Sequence, residues 1–117
     1  MSGLIGTSHS KSKVIGRSQD TARGWVNINQ SSFAVGKSFN VSSVADTSAG
    51  KWTVTWLHPF IDANYCVAAF TTNLGYGGMA NTEGGAQTAT TFMVLTFHNN
   101  STGLTDSSNT HLIAFGD

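Results

Sequence analysis

The segment Lys51-Trp52-Thr53-Val54-Thr55-Trp56 alternates apolar and polar residues without a fault. Trp52, Val54 and Trp56 fall on one side of an extended chain and Thr53 and Thr55 on the other, the pattern of a strand with one buried face. No segment of the 117 residues sustains a 3.6-residue apolar period. The chain therefore has to build its core from strands. Composition agrees: only 10% of residues are charged, against about 25% in typical domains. Ser, Thr, Asn and Gly stand in the place of the missing charge; these residues suit strands and turns and form helices poorly.

Further strands read along the chain. Trp25-Val26-Asn27-Ile28-Asn29 sets Val26 and Ile28 against Trp25 and Asn27, and Ser38-Phe39-Asn40-Val41 follows, with Val44 beyond. Asp46 to Gly50 predicts a turn, Pro59 ends the strand that begins at Lys51, and Ile61 to Asn64 predicts another turn. Tyr65 to Phe70 is continuously apolar and is expected to be buried on both faces, with the lone Cys66 in the core. Thr71 to Gly85 reads as a long exposed loop, Thr90 to Phe97 as a strand, Asn99 to Ser108 as a polar connection, and His111 to Phe115 as the last strand. The expected architecture is all-β: an antiparallel, jelly-roll-like β-sandwich over residues 24–117, preceded by an extended arm over 1–23. Spacing alone leaves open whether the sheets close into a barrel.

The arm carries two apolar-apolar-Gly steps, Leu4-Ile5-Gly6 and Val14-Ile15-Gly16, joined by a polar spacer. Such plugs either tether an extended chain to another surface or fold back as an edge strand. Lys11, Lys13, Arg17 and Arg23 face only Asp20 within residues 1–24, whereas the remainder has more acidic than basic residues. A basic arm on an acidic body fits an acidic partner or a neighbouring copy. Without interleaved aromatics, four basic residues do not make a nucleic-acid surface. One cysteine excludes an intrachain disulfide. No signal peptide or apolar span is visible, so membrane insertion is not expected and synthesis in a cytoplasm is.

Several motifs together resemble a small module of bacteriophage tail-fibre and fibre-like virion proteins. They are Trp25-Val26-Asn27-Ile28, Phe39-Asn40-Val41-Ser42-Ser43, Gly50-Lys51-Trp52-Thr53-Val54-Thr55-Trp56 and Asp62-Ala63-Asn64-Tyr65. The closing Leu112-Ile113-Ala114-Phe115-Gly116-Asp117 is similar to the last strand of such modules, and the stretch from Ser10 to Ser18 resembles N-terminal segments of small phage structural proteins, particularly from marine phages. The resemblance covers residues 24–70 and, less fully, the two ends; residues 71–109 match nothing in it. It implies a virion protein made in the host cytoplasm, homotrimeric, joined to other virion proteins through Leu4, Ile5, Lys11, Lys13, Val14, Ile15, Arg17 and Arg23. The module lacks the shaft of a long fibre, so a capsid decoration or head-fibre protein that covers or stabilises the shell stands as the alternative.

Chemistry-bearing constellations are scarce. Glu83 is the only glutamate, no carboxylate pair suggests glycoside hydrolysis, and Asp62 is read as a turn former. The chain is not expected to be an enzyme. His9, His58, His98 and His111 show no metal-ligand spacing, so neither metal nor cofactor is expected; His98 or His111 meeting its copies on a trimer axis is set against the plainer reading of a strand histidine at a sheet rim. Trp52 and Trp56 flank Val54 on one face and read as core rather than as a sugar platform. Asn73, Tyr76, Asn81 and Thr82 lie in the Gly-rich stretch and are the expected contacts to a host surface glycan or protein.

Overall fold

The computed structural model describes residues 21–72, 76–79, 87–98 and 103–117. Eight strands run in order: β1 (Ala22–Asn29), β2 (Ala34–Phe39), β3 (Val41–Ser48), β4 (Lys51–Trp56), β5 (Cys66–Thr71), β6 (Tyr76–Met79), β7 (Thr91–His98) and β8 (Thr110–Phe115). They form two four-stranded antiparallel sheets, ordered β2-β1-β8-β5 and β3-β4-β7-β6. This is an antiparallel β-sandwich with the strand count of a jelly roll and an order of its own. Among the described residues there is no helix, and so none long and apolar enough to cross a membrane.

The core lies where the alternation places it. Val26 and Ile28 of β1 and Leu112 and Ala114 of β8 meet Trp52, Val54 and Trp56 of β4 and Phe92 and Val94 of β7. Trp52 and Trp56 are therefore core residues. Val41 and Val44 of β3 and Val67 and Ala69 of β5 pack against this cluster from the flanks. Gly24 leaves room for the Trp56 ring between the sheets: an added Cβ would sit 2.5 Å from it.

Four expectations are corrected. The stretch Ser38 to Val41 is not one strand but a corner: β2 ends at Phe39, Asn40 takes φ 59°, and β3 starts in the opposite sheet. Asn40 holds the corner with its side chain, donating to Arg23 O (2.8 Å) and His58 O (3.1 Å) and accepting from His58 N (2.7 Å). Asn tolerates this left-handed backbone because its short amide can bond locally. The turn after β3 is tighter than Asp46 to Gly50, since β3 runs to Ser48. Ala49 and Gly50 alone make the turn, with Gly50 at φ 69°. Tyr76 lies not in a loop but in β6, paired with His98. And β5 is an edge strand buried on one face only, leaving Cys66, Ala68 and Phe70 exposed. The predicted turn at Ile61 to Asn64 is present, closed by Asn64 N donating to Asp62 Oδ1 at 2.7 Å.

The two ends of the sandwich are closed by different chemistry. At the end where β1 begins, Phe60 stacks on Tyr65 (3.9 Å between centroids) and both meet Trp56 edge-on at 5.4 and 6.1 Å. Trp56 Nε1 donates to the Tyr65 hydroxyl (3.2 Å), which donates to Thr91 O (2.9 Å). Burial pushes the Tyr65 pKa up, and the bond from Trp56 partly offsets this. At the far end, Gln30 Oε1 is buried and accepts from Ser107 N (3.0 Å) and Thr110 Oγ1 (2.9 Å), with Thr96 Oγ1 at 3.1 Å. The Thr96 hydroxyl has one proton and lies closest to Thr105 O, at 2.7 Å. Gly50 joins this node: its N–H donates to Asp106 Oδ1 (2.6 Å) and its carbonyl accepts from Thr96 N (2.8 Å).

Candidate functional site

The two sheets present unlike outer faces. On β3 and β4 the outward residues include Ser43, Ala45, Thr53 and Thr55, in register across the pair. The outer face of the β2-β1-β8-β5 sheet mixes apolar rings and aliphatic side chains with a few polar ones. Because Val26, Ile28, Leu112 and Ala114 point inward, Trp25, Asn27, His111, Ile113 and Phe115 point out. On β5, Val67 and Ala69 pack inward, so Cys66, Ala68 and Phe70 point out. Register lines up Phe39, Trp25, Ile113 and Ala68 across all four strands. The next line reads Lys37, Asn27, His111 and Phe70, and Phe115 pairs with Cys66 on the other side.

Three polar side chains on this face, Asn27, Asn109 and His111, bond to one another. Asn27 Nδ2 donates to Asn109 Oδ1 (2.9 Å) and lies 3.2 Å from His111 Nδ1. An amide nitrogen only donates, so His111 Nδ1 accepts and the neutral ring carries its proton on Nε2. Phe70 stacks on that ring, 4.9 Å between centroids and 21° apart, and His111 Nε2 is buried with no hydrogen-bond partner among the described residues. Asn109 Nδ2 in turn donates to Thr72 Oγ1. A shallow depression of about 250 Å³ runs between Trp25, Asn27, Phe70, His111 and Ile113.

Two hollows flank the point where the chain enters β1. One, about 560 Å³, is lined by Thr21, Arg23, Phe39, Asn40, Leu57 and His58. The other, about 370 Å³, includes Ile61, Asp62, Asn64, Cys66, Phe115 and Asp117. Leu57 and Ile61 are exposed beside them.

Of the residues expected to anchor the chain, Leu4, Ile5, Lys11, Lys13, Val14, Ile15 and Arg17 lie outside the described residues. Arg23 does not belong to the arm: it lies in β1, which starts at Ala22, and its guanidinium stands over the Phe60 ring, 5.8 Å from the centroid. Of the expected contact residues, Asn73, Asn81 and Thr82 lie outside the described residues, and Tyr76 is in β6. Cys66 is exposed rather than core because it points outward from β5, an edge strand whose outward positions meet no neighbouring layer among the described residues. Among the described residues, no three His, Cys, Asp or Glu side chains gather as a metal site would require. Alternation in the sequence puts Trp25 on the side away from Val26 and Ile28, but it does not reveal that Phe39, Ile113 and Ala68 line up with it across four strands.

No protein-family model matches the chain, and neither a curated protein nor a solved structure matches it.

Proposed function

We propose that this chain is a bacteriophage virion structural protein of the small tail-fibre type. In this reading it is a homotrimer, attached to other virion proteins by residues 1–23, with segments 71–85 and 99–109 turned to a host surface glycan or protein. The observation that carries the reading is where the motif residues stand. Trp25 to Ile28 lie on β1 and Lys51 to Trp56 form β4. Asn40 makes the sheet-to-sheet corner, and Asp62 to Asn64 make the turn before Tyr65. Each motif thus has a geometric task in the framework. The stretch that resembles nothing, 71–109, holds the connections on either side of β7, and connections mounted on a rigid scaffold are where binding contacts concentrate.

Immunogold labelling of intact particles with an antibody to residues 71–85 tests this reading. Gold at the tail tip is the expected result. Gold spread over the head replaces it with a decoration or head-fibre protein, and particles without gold overturn the virion reading.

A further inference from the structure

We infer that His111, Asn27, Asn109 and Thr72 form a proton-sensitive hydrogen-bond relay on the outer face of the β2-β1-β8-β5 sheet, whose polarity reverses when His111 takes up a proton. The relay needs neither the virion reading nor the homotrimer.

Register brings the four side chains together. Asn27 of β1 and Phe70 of β5 lie opposite His111 of β8, one on each side. Asn109 stands two residues before His111 and Thr72 two residues after Phe70, and Thr72 N donates to Asn109 O at 3.1 Å. Residues two apart along an extended chain share a face. The bonds among them run in one direction. Asn27 Nδ2 gives one hydrogen to His111 Nδ1 (3.2 Å) and the other to Asn109 Oδ1 (2.9 Å). Asn109 Nδ2 then donates to Thr72 Oγ1.

That direction decides where an added proton goes. Nδ1 accepts from an amide, so the neutral ring already carries its hydrogen on Nε2, buried with no hydrogen-bond partner among the described residues. One place is left for a second proton, Nδ1, and it faces the Asn27 amide nitrogen. Two donors would then point at each other. The ring is held in place by Phe70, stacked at 4.9 Å between centroids. An amide, by contrast, exchanges its oxygen and nitrogen in a half turn with little change of shape. After that turn Asn27 Oδ1 accepts from His111 Nδ1–H and from Asn109 Nδ2, and Asn109 Oδ1 accepts from the Thr72 hydroxyl. Every bond of the relay is kept and each is reversed; the net change is one proton taken from water onto Nδ1. Gly36 gives the Asn27 amide its place, since a Cβ there would sit 2.5 Å from Asn27 Oδ1.

No carboxylate competes for the imidazolium. Strands β1, β2, β5 and β8 contain no Asp or Glu. In the row Lys37, Asn27, His111 and Phe70, Lys37 is the one other charged side chain, about 10 Å from His111 at two strand spacings. Cys66 starts β5, four residues from Phe70, and Arg23 of β1 stands over Phe60 at the other end. The amide oxygens are therefore the acceptors that an imidazolium on this face has. The relay ends at Thr72. In the neutral state the Thr72 hydroxyl accepts from Asn109 and can give its own hydrogen elsewhere; in acid that hydrogen is committed to Asn109. Thr72 leads into residues 73–85, so acid alters the entrance to the stretch turned to the host, a consequence that alone rests on the proposed function.

Nitrogen and proton NMR on the full chain, titrated from about pH 8 to about pH 5, tests the relay. At the upper end His111 should carry its hydrogen on Nε2 with Nδ1 bare. On acidification the side-chain amide signals of Asn27 and Asn109 should move with the ring at one midpoint. The Gln87 amide, bonded to Ala63 O and Tyr65 O, should stay still. Asn27→Asp can only accept, so it should fix the acid polarity and tighten proton binding at His111 about tenfold. Neutral protein with its hydrogen on Nδ1, or an Asn109 amide that does not follow the ring, overturns the inference. So does an Asn27→Asp protein that binds the proton no more tightly than the wild type. If Asn27→Asp loses its fold, the wild-type titration decides alone.

Discussion

The two ends of the sandwich achieve the same closure by opposite means. The end around Phe60, Tyr65 and Trp56 is closed by rings whose contacts are many and individually weak. The end around Gln30 is closed by one buried carbonyl oxygen and a glycine turn, where few atoms each carry several obligations. A ring that loses one polar bond still packs. A buried donor that loses its acceptor bears the whole desolvation penalty. The polar end should therefore be the brittle one.

Gly50→Ala should break the comparison most sharply. The residue sits at φ 69°, and an added Cβ would lie 2.5 Å from Thr105 N and 2.6 Å from Thr96 O, both backbone atoms that cannot swing away. Left-handed strain and the clash together should cost about 4 kcal/mol, read by urea unfolding. Gln30→Leu keeps the volume and removes the acceptor, leaving Ser107 N–H and the Thr110 hydroxyl unpaired, and should cost about 3 kcal/mol. If Gln30→Leu is as stable as the wild type, the node is ornamental and the contrast fails.

At the aromatic end the effects should be smaller. Tyr65→Phe keeps the stack on Phe60 but removes the bonds to Trp56 Nε1 and Thr91 O, and should cost about 1–2 kcal/mol. The same variant carries a pH signature. The buried hydroxyl titrates above its ordinary value of 10.0. Its contribution is therefore complete below that value and lost as pH rises through the folded-state value. Wild-type protein should lose stability above pH 10 more steeply than Tyr65→Phe, as thermal melts across that range will show. The smallest effect is expected at Trp52, whose Nε1 is buried with no hydrogen-bond partner among the described residues. Trp52→Phe relieves that orphan donor while opening a small void, and the two should cancel to within about 1 kcal/mol.

Much of this fold could be read from the sequence wherever alternation persists. Val26 and Ile28, and Trp52, Val54 and Trp56, lie on the faces that their spacing predicts. The same rule also reached the polar node, had it been followed one step further. Gln30 continues the series from Val26 and Ile28, Thr96 the series from Phe92 and Val94, and Thr110 precedes Leu112 and Ala114 in step. All three are inward positions filled by polar residues, the signal of a buried hydrogen-bonded site. The Asn40 corner was hidden for another reason. Its geometry is set by bonds to Arg23 O and to His58, residues 17 and 18 positions away, and no local pattern records them. The face carrying Trp25 and Phe70 was half legible: the apolar run from Tyr65 to Phe70 reads as buried on both sides, and only the strand order, which puts β5 at a sheet edge, tells which side is left exposed.

The pairing of β1 with β8 also dictates when this protein can become itself during synthesis. Ala22 registers with Phe115 and Ile28 with Thr110, so the first described strand finds one of its two neighbours only after Thr110–Phe115 has left the ribosome. Until then the nascent chain holds Val26 and Ile28 with no finished sheet to hide them, alongside an edge strand, β2, that is exposed along its length. Folding must wait for the closing strand, and the interval before it arrives is when the chain is most open to aggregation and to chaperones.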